Sequence, residues 1–281
     1  MGKVFSSIGI LYHPMKPESL ELTEQMIAYF QSHACRVWAG SAWDEAEVIA
    51  HAGDLDLMIT LGGDGTILRA ARVGSRYGVP LLGVKLGRVG FLAEVQPENW
   101  PDAMTRLLAG DYWLEERMLL DVGVAHAGGE LNHDYRALNE VVVSRGGLAR
   151  LVTVGAWVDA SYLTSYRADG VIVSTPTGCT GYALAAGGPI LPPELRNILL
   201  IPICPHLSLD RPIVLSQGST VTLRVQADYP AILTVDGQFE VTLAGDDQVE
   251  IRASSDVSQF VHLQDRAYFY RTLMDRLRWT A

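Results

Sequence analysis

The chain has 281 residues, 48% of them hydrophobic and 19% charged, a balance that excludes disorder and gives enough length for two domains. Its 22 basic and 32 acidic side chains leave a net charge of −10, which excludes the broad basic face of a nucleic-acid binder but not a local patch for a nucleotide. Three cysteines, Cys35, Cys179 and Cys204, lack paired or metal-like spacing and read as reduced thiols of a cytoplasmic protein, and seven singly scattered histidines argue against a bound transition metal.

The N-terminal MGKVFSSIGILYHP has no apolar signal core, and no run reaches the ~18 residues of a membrane span. Residues 4–12 read as a strand. An amphipathic helix follows from Pro17 to about His33, with Leu20, Leu22, Met26, Ile27 and Phe30 on its apolar side. Arg36 to Ala39 is a second strand and 43–51 a short helix. In 54–75, Leu55, Leu57, Ile59 and Leu61 form a buried strand that stops at Gly62-Gly63-Asp64-Gly65-Thr66, after which Ile67, Leu68, Ala70, Ala71 and Val73 begin a helix. Val79 to Val84 is the next strand, Gly83, Gly87 and Gly90 punctuate a loop, and Pro97 opens a helix that ends near Gly110. Strand and helix alternate throughout, so a parallel sheet covered on both faces is expected, with ligands at the carboxyl ends of its strands.

After Glu115-Glu116-Arg117 the texture changes to short β-branched runs separated by turn residues. The expected organisation is an α/β nucleotide-binding domain over 1–115, a β-sandwich over 116–260, and a tail over 261–281. The tail's Leu263, Tyr268, Phe269, Leu273, Leu277 and Trp279 should pack back on the first domain.

Two stretches carry chemistry. A strand that ends in glycines and opens a helix leaves free N–H groups and lets the backbone approach an anion, so Gly62, Gly63, Gly65 and Thr66 suit a phosphate chain. Asp64 would repel that phosphate and needs another task, such as orienting a hydroxyl nucleophile or holding a metal ion bridged to the phosphates; a plain tight turn with Asp64 as helix cap is the competing reading. The spacing of Gly83, Gly87 and Gly90 is not G-x-G-x-x-G, so the dinucleotide fingerprint of the Rossmann fold is absent. Arg69, Arg72 and Arg76 on the following helix offer a cationic patch. The second stretch, RADGVIVSTPTGCTGYALAAGGPIL at 167–191, runs from a strand into a turn rich in Thr and Gly and then a short helix from about Gly181 to Ala186, again a nest for phosphate or ribose oxygens, with Tyr182 able to lie against a base.

The five residues GGDGT resemble a signature shared by NAD kinases, diacylglycerol and sphingosine kinases and, with Ser for Thr, phosphofructokinases, which leaves the acceptor open between a dinucleotide, a lipid and a sugar. The resemblance narrows with GFL at 90–92, Asn139-Glu140, ADGVIVSTPTGCTGYALAAGGPI at 168–190, PICPH at 202–206, RPI at 211–213 and DGQ at 236–238, all in order. Together these are similar to the bacterial NAD kinase family. The resemblance implies an α/β domain and a β-sandwich domain with the active site between them, and transfer of the γ-phosphoryl of ATP, with Mg²⁺ or another divalent cation, to the 2′-hydroxyl of the adenosine ribose of NAD to give NADP. It implies a homodimer or homotetramer. It also implies Asp64 as proton acceptor and dinucleotide contacts from Asp64, Gly65, Phe91, Asn139, Glu140, Arg150, Asp169, Thr180, Gly181, Tyr182, Ala183, Leu184, Ala185 and Gln238. Arg69 and Arg167 match positions that serve phosphate; no metal ligand is assigned. The chain departs from the family pattern at Lys85, where an amide is usual in G-x-N-x-G, and at Cys179 and Gly181 within T-G-S-T-A-Y. A sensor that binds the dinucleotide without catalysis is the remaining alternative.

Overall fold

Short apolar runs bounded by turns, alternating with amphipathic segments, can bury their faces only by stacking helices on a parallel sheet, and residues 5–116 do this. The computed structural model describes residues 5–87, 90–127, 129–147, 151–226 and 229–277. They divide into two units, Met1–Glu116 with Val257–Ala281, and Arg117–Asp256.

The first unit contains β1 (Ser7–Tyr12), α1 (Pro17–Ser32), β2 (Arg36–Ser41), α2 (Glu45–Ala52), β3 (Leu57–Gly62), α3 (Asp64–Tyr77), β4 (Leu81–Lys85) and α4 (Trp100–Leu108). Its strands pair in parallel in the order β2-β1-β3-β4. Ile8, Ile10, Leu57, Ile59, Leu61, Leu82 and Val84 form a core with Met26 and Phe30 of α1 and Met104 and Leu107 of α4. Two boundaries differ from the sequence reading. The helix after the glycines begins at Asp64 itself, with Gly63 as N-cap, and the helix near Pro97 begins at Trp100, with Pro101 in its first turn. The first follows from Gly65 and Thr66 completing a turn on the Gly63 carbonyl, to which the Thr66 and Ile67 N–H groups donate at 3.0 and 3.3 Å.

In the second unit, β6 (Asn132–Ala137), β7 (Glu140–Arg145), β8 (Val152–Val158), β9 (Ser161–Ala168), β10 (Gly170–Ser174), β11 (Asn197–Ile203), β12 (Ile213–Ser216), β13 (Thr220–Val225), β14 (Ala231–Val235) and β15 (Phe239–Leu243) follow β5 (Trp113–Ala125), with α5 (Tyr182–Ala185) after β10. Six of them form an antiparallel sheet in the order β12-β11-β10-β7-β14-β15, while β9, β8 and β13 pair side by side and β13 pairs with the start of β16 (Gln248–His262). The two-residue period decides which side chains go where. Val141, Val143, Val171, Val173, Ile198 and Leu200 enter the core between the sheets. Their neighbours Val142, Ile172, Leu199, Ile201 and Ile203 turn outward and are covered by Cys179 and Ala183. This is why the runs EVVVS and GVIVS are apolar at consecutive positions.

The end of β16 returns the chain to the first unit, where Phe260 pairs with Leu81. A buried polar cluster fixes it there. Glu94 accepts from the backbone N–H of Leu263 at 2.8 Å and of Gln264 at 2.5 Å, and meets His262 Nδ1 at 2.5 Å; His262 Nε2 lies 3.1 Å from Glu115. Trp113 stacks on the imidazole and donates to the Gln264 carbonyl at 2.7 Å. The final helix, α6 (Tyr268–Leu277), then brings Arg276 onto the Phe91 carbonyl at 3.3 Å and over its ring. Trp279 lies outside the described residues. Among the described residues, no helix is long and apolar enough to cross a membrane.

Glu94→Ala removes the acceptor shared by these groups and leaves donors buried without it, so a stability loss of about 3 kcal/mol is expected in urea denaturation, with Glu94→Gln losing clearly less. A loss below ~0.5 kcal/mol for the alanine variant would show that the cluster does not hold the returning strand.

Candidate active site

In the first unit the candidate residues gather at the carboxyl end of β3 and β4. Gly62 pairs with Lys85 across the two strands, and the chain then turns into α3. A side chain at Gly62 would land on the Thr66 hydroxyl, so only glycine lets the helix start this close to the strand. Asp64, first residue of α3, sends its carboxylate toward Lys85, whose Nζ donates to Oδ1 at 2.8 Å. Gly90 closes the other flank, since a Cβ there would collide with both carboxylate oxygens. Asp64 is 37% exposed and Lys85 12% exposed, so the acid faces outward while its cation is sunk behind it. α3 has no side-chain cap, in contrast to α2, where Asp44 accepts from the Glu47 N–H at 3.1 Å. The Thr66 hydroxyl is buried and has no partner among the described residues.

The three arginines of α3 all lie near enough to Glu45 to help hold its carboxyl below its ordinary range, and two of them make a direct contact. Arg72 is buried and bonded to Glu45 at 2.7 Å, a structural pair that also holds the Glu45 carboxyl below its ordinary range. Arg69 lies over the Trp43 ring, 4.8 Å from its centroid, with His13 tilted against the same ring.

In the second unit, Asn139 and Glu140 open β7 beside the turn that follows β10. Asp236 organises them, its carboxylate accepting from the backbone N–H groups of Leu138, Asn139 and Glu140 at 2.8, 2.8 and 3.0 Å. Asp236 and Gly237 both adopt left-handed backbone, φ 50° and 62°, which an Asp-Gly pair accepts readily. The facing turn is stitched to this segment: Thr175 donates to the Leu138 carbonyl at 2.5 Å, and Ser174 to the Asn139 carbonyl at 3.1 Å. A Cβ at Gly178 would strike that Asn139 carbonyl. Against so much pairing, Asn139 Oδ1, Glu140 Oε2 and Thr177 Oγ1 are buried with no hydrogen-bond partner among the described residues. Burial, and then the neighbouring Asp236 charge, push the Glu140 carboxyl up to about 8.

The remaining candidates separate along β10. Thr180, Gly181, Tyr182, Ala183, Leu184 and Ala185 lie beyond its end, with Ala183 buried under the sheet and Tyr182 exposed at 45%. Gly181 sits against Glu140 Oε2, 3.2 Å from where its Cβ would be. Arg167 and Asp169 lie before its start, where Asp169 meets Arg145 at 3.3 Å. The five residues of β10 separate Arg167 and Asp169 from the Thr- and Gly-rich turn at its other end, beyond which the chain folds back so that Ala183 covers Ile172. Gln238 closes the turn after β14, its N–H bonded to the Val235 carbonyl. Phe91 is held by Arg276. Arg150 lies outside the described residues. The sequence reading missed Lys85 as a partner of Asp64, Gly90 as the wall beside it, and Asp236 as the organiser of Asn139-Glu140; the last was marked by the Asp-Gly pair. Among the described residues, no group of three His, Cys, Asp or Glu side chains could hold a metal ion.

A carboxylate in a glycine turn at the carboxyl edge of a parallel sheet, joined to a β-sandwich, fits the two-unit kinases that the GGDGT stretch resembles. Residues 22–112 match the ATP-NAD kinase N-terminal domain and residues 138–263 the ATP-NAD kinase C-terminal domain. The chain is 38% identical over 275 residues to a protein of Dehalococcoides mccartyi named NAD kinase, covering 98% of this chain and 97% of that one. It is 38% identical over 271 residues to a Chloroflexus aurantiacus NAD kinase, covering 96% and 98%. Among solved structures, an NAD kinase from Archaeoglobus fulgidus in complex with ATP is similar at 28% identity and a TM-score of 0.77, over 97% of this chain and 98% of that chain. Yeast NADH kinase complexed with NADH shares the fold at a TM-score of 0.85 and 23% identity, over 99% and 89%. The chain belongs to the ATP-NAD kinase family.

Because the Glu140 carboxyl ordinarily titrates near 4.5 and stands at about 8 in the fold, the folded state holds a proton that the unfolded chain has released between those values. Stability therefore falls as pH rises through that window. Glu140→Gln, which cannot ionise, should raise the melting temperature at pH 8.5 and leave it nearly unchanged at pH 5; an equal shift at both values would show that Glu140 carries no such proton.

Proposed function

We propose that this chain is an NAD kinase that transfers the γ-phosphoryl group of ATP to the 2′-hydroxyl of the adenosine ribose of NAD, giving NADP. The observation that carries the reading is the Asp64 carboxylate, exposed on the first turn of an uncapped helix and flanked by glycines. A bond forms between O2′ and Pγ as the bond from Pγ to the β,γ-bridging oxygen breaks. ADP leaves, and the hydroxyl proton passes to Asp64. In a loose phosphoryl-transfer transition state the hydroxyl needs no early deprotonation, so one carboxylate that accepts its hydrogen bond is enough. The glycine turn and the start of α3 receive phosphate oxygens, and most of the rate comes from alignment and charge neutralisation.

The other roles follow the chemistry of the groups. Asn139 Oδ1, Glu140 Oε2 and Thr177 Oγ1 are buried and unpaired among the described residues, which supports their use by ribose hydroxyls. At neutral pH a protonated Glu140 donates as well as accepts. Tyr182 offers an exposed ring to a base, with Thr180, Gly181, Ala183, Leu184 and Ala185 around it. Asp169, Gln238 and Phe91 complete the dinucleotide contacts, and Arg69 and Arg167 supply charge to phosphates. A divalent cation such as Mg²⁺ would accompany the triphosphate, which binds it through its own phosphate oxygens. Self-association as a homodimer or homotetramer completes the reading, and a cytoplasmic location is supported by three free cysteines.

Purified protein with ATP, Mg²⁺ and NAD should form NADP, read by an NADP-specific dehydrogenase. Asp64→Asn should lower kcat by at least ~10²-fold with its circular dichroism unchanged. Absence of NADP from folded wild-type protein, or a folded Asp64→Asn variant with wild-type turnover, would overturn the proposal.

A further inference from the structure

Lys85 closes β4 with its backbone fixed, its N–H donating to the Val95 carbonyl at 2.9 Å. Its side chain is 12% exposed, and its ammonium lies 2.8 Å from Asp64 Oδ1. The same nitrogen is 4.0 Å from where a Cβ on Gly63 would be, so it borders the glycine turn as well as the acid. An ammonium this far from solvent needs an anion beside it, and two are possible at this spot: the Asp64 carboxylate and a phosphate chain on the N–H groups of the turn. Lysine suits such a double role. It is a point charge with three donors on a flexible stem, and only one donor is needed for Oδ1.

We propose that Lys85 is shared between Asp64 and the phosphoryl donor: it holds Asp64 until ATP binds and then turns its charge to the triphosphate, freeing the carboxylate for the acceptor hydroxyl. This rests on the NAD kinase reading above and adds a residue to it. The triphosphate carries more charge than one carboxylate, so it competes well for the ammonium, and the exchange costs little because the cation stays paired throughout. It also couples the two halves of the reaction, since the acid is released at the moment the phosphoryl group to be transferred is in place. If Lys85 served only to neutralise Asp64, its removal would weaken the turn without any specific coupling to the donor.

The test is a double-mutant cycle on MgATP binding, measured by calorimetry without NAD so that no turnover occurs, on wild type, Lys85→Met, Asp64→Asn and the double variant. Lys85→Met should weaken MgATP binding by about tenfold, while the Kd for NAD changes by less than about threefold. Asp64→Asn should tighten MgATP binding by about threefold or more in the Lys85 protein and by less than about twofold in the Lys85→Met background. Lys85→Arg should recover most of the MgATP affinity, and Lys85→Gln replaces Lys85→Met in the cycle if the latter does not fold. Equal tightening by Asp64→Asn in both backgrounds reports simple relief of repulsion and overturns the proposal, as does unchanged MgATP affinity in Lys85→Met. NADP formation is scored separately. A wild type that makes NADP with an additive cycle loses only the Lys85 assignment, and one with a coupled cycle but no NADP loses only the kinase reading. Absence of MgATP binding by wild type overturns both.

Discussion

The first unit depends on a helix that starts without a cap. α2 in the same unit is sealed by the Asp44 side chain, which accepts one of its free N–H groups, whereas α3 starts on Gly63 and receives no side-chain acceptor. Placing an acid as the next residue favours the helix dipole, and the Thr66 and Ile67 N–H groups close on the Gly63 carbonyl rather than on a side-chain cap. Steric closeness enforces the arrangement. Gly62 allows Thr66 against the strand end, Gly90 allows the carboxylate against the following loop, and Lys85 neutralises that carboxylate from behind. Glycine at these crowded positions costs backbone entropy, and such local costs concentrate where function demands them.

The second unit reaches a comparable tension differently. Its backbone is thoroughly paired: Asp236 alone satisfies three consecutive N–H groups, and Thr175 and Ser174 answer the carbonyls of Leu138 and Asn139. Yet three side-chain acceptors in the same few residues are buried without a partner among the described residues. Each such group costs about 1 to 3 kcal/mol, so a rigid frame must hold them in place. That frame has a consequence for Glu140. The carboxylate that organises the turn lies close enough to oppose ionisation of its neighbour, so the same Asp236 that orders the segment helps to keep Glu140 protonated.

The layered architecture was legible because periodicity reports burial directly. The 3.6-residue pattern marked α1 to within a residue of its end, and the β-branched runs after Arg117 marked the sandwich strands. Less legible were relations that depend on register. Lys85 and Asp64 are 21 residues apart, and only the parallel pairing of Gly62 with Lys85 brings the strand ends level. Arg72, read as part of a cationic patch, turns out to be spent on Glu45, because position along a helix fixes a face but not what the neighbouring helix offers it. The cluster around Glu94 joins residues about 170 apart in the chain, with no local signature at all.

One strand shows why fold and site could be read from the same residues. β10 is buried on both faces, Val171 and Val173 inward and Ile172 beneath Ala183 and Cys179, so nothing along its length can slide by one position without exposing an apolar side chain. Its two ends are therefore held at a fixed separation. Arg167 and Asp169 stand at one end and the Thr- and Gly-rich turn at the other. The apolar stretch GVIVS specifies the core and, by its length alone, sets the spacing between two groups of polar side chains. A change of strand length here would alter the reach of any molecule that spans both groups, while a conservative exchange of Val for Ile within it would alter only packing.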